Sequence, residues 1–290
     1  MIVKVRDFIY GISEVCLSLV RIIVLSRFNV KFPKGETSKD NTCVILANGP
    51  SLRESLKTNR AFIEKHKNLV VNNFVYSDYY SEVKPNYYVL NSPEYFMEKG
   101  PGPMHEDMRE RVFGGIVEKT TWPMFVFVPM IAAKTDVWKK RLAQNKNLKV
   151  VYYNSTPVEG AFSIIKYLFK YNMGMSRPHN VLIPSLFVTL NMGFKKIFLF
   201  GADHSWLEEL RVNEDNRLAV NHEHFYDAAK EVGVMYKLDG NSYKIHEALR
   251  KLYLAFKGYW VILDYAHTLN AEIYNATPKS YIDAFVRVKV

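Results

Sequence analysis

The sequence contains little cysteine and none of the short motifs that mark disulfide or zinc sites. Of its 290 residues only Cys16 and Cys43 are cysteines, and they lie far apart without a CxxC spacing. This pattern excludes a disulfide framework and favours reduced thiols. No basic, apolar and small-residue segments follow one another in the order of a secretory leader. We therefore expect a cytoplasmic protein.

The sequence also lacks internal repeats, low-complexity segments and recognisable nucleic-acid modules. Apolar residues make up 48% and aromatic residues 14% of the chain, which suffices for a sizeable core and excludes global disorder. The net charge is +10, so anionic partners are favoured. Because the basic residues are spread along the chain, we expect no nucleic acid among those partners.

A long apolar stretch, residues 8–28, stands near the amino terminus. On a helix, Gly11, Glu14, Ser18 and Arg21 fall on one side at spacings of three and four, and apolar residues cover the rest. A wide apolar face with basic flanks is typical of a helix that lies in a membrane interface, here at the inner membrane. Packing on the domain or on a second copy of the chain, as a homo-oligomer, is the alternative. A true membrane span is disfavoured by the two internal charges.

We therefore expect two parts: an amphipathic helix over residues 1–35 and a single domain over residues 41–290. Apolar runs in the domain predict strands at Cys43–Ala47, Leu69–Val71, Tyr87–Leu90, Phe125–Val128, Lys149–Tyr153, Lys196–Phe200 and Trp260–Leu263. Intervening segments predict helices at Ser51–His66, Val158–Tyr171, Ser185–Met192 and Ser242–Phe256. This alternation predicts an α/β, Rossmann-like fold with a mostly parallel sheet and helices on both faces. Residues 91–125 predict a long loop, and residues 207–229 a lid insertion.

Polar side chains follow several of the predicted strands. Asn48, Asn72 and Asn91 come directly after the first three strands, and Asp203 follows the strand at Lys196–Phe200. Since the carboxyl ends of parallel strands meet at one edge of a sheet, we expect these side chains to line one cleft. Amides bind sugar hydroxyls, ribose and base edges without adding charge.

The first strand runs into Asn48-Gly49-Pro50-Ser51. Gly49 lets the backbone approach a ligand, and Ser51 can cap the following helix. An ordinary capped turn between a strand and a helix has the same sequence, so the pattern alone leaves both interpretations open.

The sequence resembles the bacterial sialyltransferases of glycosyltransferase family 42 in four segments, ANGPSL, VNNF, YYVLNSPEYF and NMGFKKIFLFGAD. It is also similar to a broader group that includes an archaeal pterin pyrophosphokinase. The resemblance covers roughly residues 41–206. It implies a variant of the GT-A glycosyltransferase fold, a CMP-activated donor sugar of sialic-acid or Kdo type, and no need for a metal or other cofactor.

The same resemblance implies roles for individual residues. Asn48, Asn72 and Asn91 would line the nucleotide-sugar cleft. Gly49 and Ser51 would lie beside the donor phosphate. Ser185 would substitute for a serine that precedes the central helix of the family.

Sugar transfer with inversion needs a base, and a histidine suits that role. His204 follows a strand next to Asp203, and His224 lies in the predicted lid; both are candidates, with His222 less favoured. His222 and His224 could alternatively share a metal ion with a third ligand, although the sequence has no DxD motif and we expect no metal. Arg177, His179 or Lys244 could neutralise a leaving phosphate.

We therefore expect a glycosyltransferase that binds a nucleotide-sugar donor and acts on a cell-surface or lipid-linked glycan. Two rivals stay open. One is a pyrophosphokinase-like phosphotransferase, which would need acidic pairs for Mg²⁺. The other is a membrane-associated scaffold of polysaccharide assembly without enzymatic activity.

Overall fold

The computed structural model describes residues 2–35, 41–98, 105–222, 231–237 and 240–290 of the chain. The strands of the main sheet are β1 (Thr42–Leu46), β2 (Lys67–Val71), β3 (Tyr87–Val89), β4 (Met124–Pro129), β5 (Leu148–Tyr153), β6 (Lys196–Phe200), β10 (Glu272–Asn275) and β11 (Val286–Arg287). A smaller sheet contains β7 (Leu210–Val212), β8 (Leu218–His222) and β9 (Glu231–Val234).

Helices connect most of these strands. They are α1 (Ile2–Leu25), α2 (Leu52–Thr58), α3 (Arg60–Lys65), α4 (Tyr79–Val83), α5 (His105–Lys119), α6 (Val137–Leu142), α7 (Phe162–Lys170), α8 (Leu182–Asn191), α9 (Trp206–Glu209) and α10 (Ile245–Thr268).

The main sheet has the strand order β11-β10-β6-β1-β2-β3-β4-β5, and each neighbouring pair is parallel. The chain builds the sheet outward from β1 to β5 and then crosses back to place β6 on the other side of β1. The order therefore reverses between β1 and β6, which is the position where open α/β sheets bind ligands. The prediction of an α/β, Rossmann-like, mostly parallel sheet is confirmed.

Both faces of the sheet are buried. In β1, Cys43 and Ile45 face one apolar cluster, which also takes residues from α1, α7, α8 and α10. Val44 and Leu46 face a second cluster, formed with residues of α2, α3, α5 and α6. This is why β1 is an uninterrupted apolar run rather than an alternating one.

Two predictions of local structure are wrong. Trp260–Leu263 is not a strand but part of α10, in which Tyr259, Ile262 and Ala266 are buried at helical spacing. The sheet is completed instead by β10 and β11. The predicted loop between residues 91 and 125 contains the helix α5, whose Val112, Phe113 and Ile116 pack into the second cluster.

Two further segments differ in detail from their predictions. The helix predicted at Ser51–His66 is divided into α2 and α3 at Asn59. The segment predicted as a lid contributes α9 and the antiparallel strands β7 and β8, while residues 223–230 lie outside the described part of the chain.

Helix α1 is held to the rest of the chain by the polar side that the sequence pattern distinguished. The Ser18 hydroxyl donates to the carbonyl of Glu159 at 3.0 Å, and Arg21 Nη1 lies 3.3 Å from the Glu159 carboxylate. The Ala161 N–H donates to the carbonyl of Gly11 at 3.2 Å. Val15 is buried beside these contacts, so α1 packs over the loop between β5 and α7.

None of the helices in the described ranges combines the length and apolar character that a bilayer crossing requires.

The contact between α1 and this loop can be tested at Gly160, which has φ +122°. A Cβ there would lie 2.6 Å from the carbonyl oxygen of Gly11 and 2.7 Å from the amide nitrogen of Val15. Gly160→Ala should therefore lower the free energy of unfolding by about 2–4 kcal/mol in urea titrations, because backbone strain and the clash with α1 add.

Gly193→Ala is the matched control. Gly193 has φ +98° but nothing within 4 Å of an added Cβ, so only the backbone term of about 1–2 kcal/mol applies. Equal losses for the two variants would contradict the packing of α1 on this loop.

Candidate functional site

A cavity of about 780 Å³ opens at the carboxyl edge of the main sheet, where the strand order reverses. Its size lies within the range of small-molecule sites. The loops that follow β1, β2, β3 and β6 contribute Asn48, Asn72, Asn91 and Asp203 to its wall. Further wall residues come from the segment before α8, from α9 and from the start of α10.

The loops after β1 and β6 approach each other closely. The Gly49 N–H donates to the carbonyl of Gly201 at 2.9 Å, and a Cβ on Gly49 would lie 2.0 Å from the Asp203 carboxylate. That carboxylate accepts the Ser51 hydroxyl at 2.8 Å and the Ser51 N–H at 3.3 Å. Glycine at position 49 is thus required by space, and Asp203 joins the end of β6 to the start of α2.

Asp203 is buried, and this burial raises the pKa of its carboxyl above the usual value, against the lowering effect of the Ser51 hydrogen bonds. Because Ser51 occupies both carboxylate oxygens, Asp203 acts in this structure as a brace between two loops. Ser51 was predicted beside the donor phosphate. It does not line the cavity, and its two donors are directed to Asp203.

The two asparagines after β2 and β3 hold these strand ends together. Asn72 adopts the left-handed conformation, with φ +44°, and its amide oxygen accepts the Asn91 N–H at 3.0 Å. The amide oxygen of Asn91 accepts the Tyr153 hydroxyl at 3.0 Å. These hydrogen bonds fix the cavity wall at the ends of β2 and β3.

Buried polar atoms without partners are concentrated in this cavity. Among the described residues, four buried side-chain nitrogen or oxygen atoms have no hydrogen-bond partner. Three of the four belong to residues of the cavity wall: Asn48 Oδ1, His179 Nε2 and Asn180 Nδ2. An unpaired buried polar atom costs about 1–3 kcal/mol, so the presence of three in the wall residues of one cavity distinguishes this region from the rest of the described structure.

Asn48 and Asn180 each use one polar atom of the amide in hydrogen bonds within the fold and leave the other unpaired. Asn48 donates through Nδ2 to the carbonyl of Val71 at 3.1 Å, which leaves Oδ1 as an acceptor. Asn180 accepts through Oδ1 from the Leu182 N–H at 2.9 Å and from the Tyr259 hydroxyl at 3.1 Å, which leaves Nδ2 as a donor. These two wall residues thus retain one unpaired acceptor, Asn48 Oδ1, and one unpaired donor, Asn180 Nδ2.

His204 lies in the wall but is poorly suited to accept a proton. It has φ +54°, and its Nε2 is hydrogen-bonded to the Tyr259 hydroxyl. Burial lowers the pKa of His204 to about 3, so the ring stays neutral and is a weak base near neutral pH. Its ring lies 4.1 Å from that of Trp206, between centroids. These contacts favour a positioning role over the proton acceptor that the sequence suggested.

His179 differs from His204 in the hydrogen bonding of its ring. Its Nε2 has no partner, and burial together with the positive charges of Arg177 and Lys251 lowers its pKa below the usual value. The imidazole is therefore neutral near pH 7, and its Nε2 is unpaired. From the sequence, His179 was a candidate to neutralise a leaving phosphate, whereas no motif in the segment before α8 marked Asn180.

Basic and aromatic side chains complete the wall. Lys251 Nζ donates to the Tyr243 hydroxyl at 2.8 Å and lies 4.3 Å from the centroid of that ring. Lys237 pairs with Glu247 at 2.6 Å. Both lysines line the cavity, so an anionic group on a ligand would meet positive charge there.

A second predicted site residue, Ser185, also lies outside the cavity wall. Ser185 is fully buried within α8, where its hydroxyl donates to the carbonyl of Val181 at 2.7 Å. His224 lies outside the described residues, so its candidacy stays a prediction. Within the described residues, no three His, Cys, Asp or Glu side chains lie close enough together to hold a metal ion.

No family model matches the chain, and no curated protein matches its sequence. The solved structure of the MAf glycosyltransferase from Magnetospirillum magneticum AMB-1 is similar to this chain with a TM-score of 0.49 and 11% sequence identity. The alignment covers 95% of this chain and 38% of that chain, so the chain spans well under half of the length of that structure. A likeness of this degree carries no inference about activity, and membership of family 42 stays a prediction.

The low pKa of His204 predicts a pH dependence of stability. Because the folded-state pKa of about 3 lies below the ordinary 6.5, this contribution to stability is present above pH 6.5 and is lost as pH falls toward 3. Each unit of pH in that window should cost about 1.4 kcal/mol in the free energy of unfolding. His204→Asn, which tolerates a positive φ, should show a shallower loss in urea titrations over a pH series.

Tyr259→Phe tests whether the pH dependence arises from the His204 ring or from its hydrogen bond. The variant lacks the Tyr259 hydroxyl but keeps the His204 ring. It should therefore lower the free energy of unfolding at all pH values and keep the steep loss of stability between pH 6.5 and 3. If His204→Asn retains the wild-type slope, the assignment of this limb to His204 is wrong.

Proposed function

We propose that the chain is a glycosyltransferase and that the cavity holds a nucleotide-sugar donor. The observation that carries this proposal is the set of three buried, unpaired polar atoms in one cavity at the switch point of a parallel sheet. A nucleotide sugar presents hydroxyls, a base edge and phosphate, which can satisfy a fixed acceptor, a fixed donor and an imidazole together.

Anionic parts of the donor have matching groups in the wall. Lys237 and Lys251 would face a phosphate or a sugar carboxylate. We take the donor to be CMP-activated with an acidic sugar of sialic-acid or Kdo type. This choice depends on the resemblance of the strand-end segments to family 42.

The reaction we propose is a single displacement with inversion at the anomeric carbon. An acceptor hydroxyl attacks that carbon, the bond from the carbon to the phosphate oxygen breaks, and the phosphate leaves with the nucleotide. A base must take the proton of the acceptor hydroxyl. We assign this role to His179 rather than to His204, because His179 Nε2 is unpaired whereas His204 Nε2 contacts Tyr259.

The remaining parts of the proposal concern the setting of the reaction. We propose a cell-surface or lipid-linked glycan as acceptor, a cytoplasmic location at the inner membrane, and a reaction that needs no metal. Activity that persists after treatment with EDTA would support the last point, and activity restored by Mg²⁺ would favour the phosphotransferase rival.

Nucleotide binding tests the proposal directly. CMP should raise the melting temperature and bind in calorimetric titrations, and Asn48→Ala should weaken binding about tenfold through loss of one hydrogen bond. Asn68→Ala is a close control, because Asn68 also has a buried, unpaired Oδ1 but lies outside the cavity wall.

The possible outcomes distinguish the donor assignment from the glycosyltransferase proposal as a whole. Binding of another nucleotide but not CMP would overturn the donor assignment alone. Failure of the chain to bind any nucleotide would overturn the glycosyltransferase proposal and favour the scaffold.

The role of His179 is tested by its removal. His179→Asn should lower kcat for sugar transfer by about 10²–10⁴-fold and leave the Kd for CMP nearly unchanged. Since the pKa of His179 lies below its usual value, the wild-type rate should be constant near neutral pH and fall as acid protonates the ring. That acid limb should disappear in the variant.

His204→Asn is the comparison for this experiment, because it removes the other histidine of the wall. If its kcat falls as far as that of His179→Asn, and if the acid limb persists without His179, the assignment of the base is wrong.

A further inference from the structure

The outer side of α1 exposes a wide apolar surface. Ile23 and Val24 are 71% and 73% exposed. Between positions 9 and 25 of α1, the large apolar residues that are exposed are Ile9, Tyr10, Leu17, Leu19, Val20, Ile23, Val24 and Leu25. At about 100° per residue, these positions extend over roughly half of the helix circumference or more. We refer to them as the outer face of α1.

The inner side of the same helix packs on the rest of the chain. Ser18 and Ile22 are buried, and Arg21 pairs with Glu159. Glu14 and Arg21 are the charged residues between positions 9 and 25, and both are partly buried rather than placed on the outer face. Turning α1 to hide its apolar residues would break these contacts, so the outer face needs an external partner.

The two ends of α7 are joined to α1 and to the segment that follows it. The start of α7 is joined to α1 through Gly11, and the segment after α7 is joined to the segment after α1, since Asn172 Nδ2 donates to the carbonyl of Val30 at 3.0 Å. Exposed Tyr167 and Tyr171 belong to this neighbouring segment. Aromatic side chains of this kind are enriched where proteins meet the headgroup region of a bilayer.

We propose that the outer face of α1 docks on an anionic lipid bilayer, with the helix lying in the interface. Exposed basic residues stand at the end of the apolar face and beside it: Arg27, Lys31, Lys34 and Lys170. They match the negative surface potential of anionic lipids, as does the net charge of +10. A partly immersed helix uses a broad apolar face of this kind.

A second copy of the chain is a less suitable occupant. A partner helix covers a stripe about 100° wide, whereas the outer face of α1 is wider than that. Basic residues around the patch would also repel their symmetry mates in an isologous dimer. A dimer is therefore kept as an outcome of the test.

Docking would place the bilayer next to the cavity-bearing edge of the sheet. The Glu159 carboxylate pairs with Arg21 of α1 on one side and with Arg177 on the other. Both guanidinium groups hold the pKa of Glu159 below its usual value despite partial burial. Arg177 stands two residues before His179, so a short chain of contacts links the docked helix to the cavity wall.

The chain carries a natural position for a reporter on this face. Cys16 is exposed on α1, whereas Cys43 is buried in β1, so a maleimide fluorophore of the NBD type labels Cys16 selectively. Vesicles of phosphatidylcholine with phosphatidylglycerol should shift the NBD emission to the blue and carry the protein upward in flotation. Pure phosphatidylcholine vesicles should bind more weakly, and added salt should reduce the difference.

Substitutions on the outer face provide the decisive comparison. Ile23→Glu with Val24→Glu should lower binding to the anionic vesicles about tenfold or more, because two anchoring side chains become charged. Val286→Glu with Val290→Glu is the control, since it adds the same charge at exposed valines elsewhere. Circular dichroism and melting temperatures of both variants establish that they are folded.

Several results would overturn the proposal. These are equal binding by both double variants, no blue shift with the anionic vesicles, or a dimer in sedimentation that protects Cys16 from maleimide without lipid. Vesicle binding needs no sugar or nucleotide, so its failure would overturn the proposed location at the inner membrane and leave the proposed transferase activity untouched.

Discussion

The close contact between the loops after β1 and β6 is the constraint on which the site depends. These loops belong to neighbouring parallel strands whose connections leave in opposite directions, and a crevice forms where they part. Gly49 and Gly201 allow the two backbones to meet, and Asp203 ties Ser51 to the end of β6. Without this brace the start of α2 would be free to move, and the wall that carries Asn48 would lose its fixed orientation.

Three residues of the same crevice have buried polar atoms without partners, and these atoms lower the stability of the fold. Asn48, His179 and Asn180 each hold one polar atom in place through other contacts of the residue or its neighbours. The free energy lost by leaving these atoms unpaired is of the order of a few kcal/mol, which the two apolar clusters on either face of the sheet can offset. A ligand with complementary groups would recover that loss on binding, and its selectivity would follow from the fixed positions of donor and acceptor.

Helix α1 places its polar side inward and its apolar side outward. Its inner side is specified by Gly11, Ser18 and Arg21, which bind the loop between β5 and α7. This leaves the apolar side of the helix turned outward, against the usual tendency of a soluble surface. The pair of ionic contacts made by Glu159 connects this helix to the segment that carries His179. The molecule therefore has two regions, a polar crevice and an apolar face, that are linked through the ionic contacts of Glu159.

Much of this architecture was specified by local sequence. Six predicted strands correspond to β1 to β6, and the apolar runs among them were recognisable because strands buried on both faces are continuously apolar. The placement of Asn48, Asn72, Asn91 and Asp203 at strand ends followed from the same pattern. The sequence failed where local signals conflict with long-range packing. Trp260–Leu263 has the composition of a strand, but Tyr259, Ile262 and Ala266 bury at helical spacing against the body of the domain.

The sequence by itself determined six of the eight strands of the main sheet, the polar residues that follow them, and which side of α1 is polar. Only the tertiary structure decided that the polar side of α1 faces inward, that Ser51 and Ser185 lie outside the cavity, and that His179 and Asn180 lie within it. The physical reason is that hydrophobic periodicity is a local property of the chain. The partner of a given side chain depends on segments that are distant in sequence and meet only in the folded molecule.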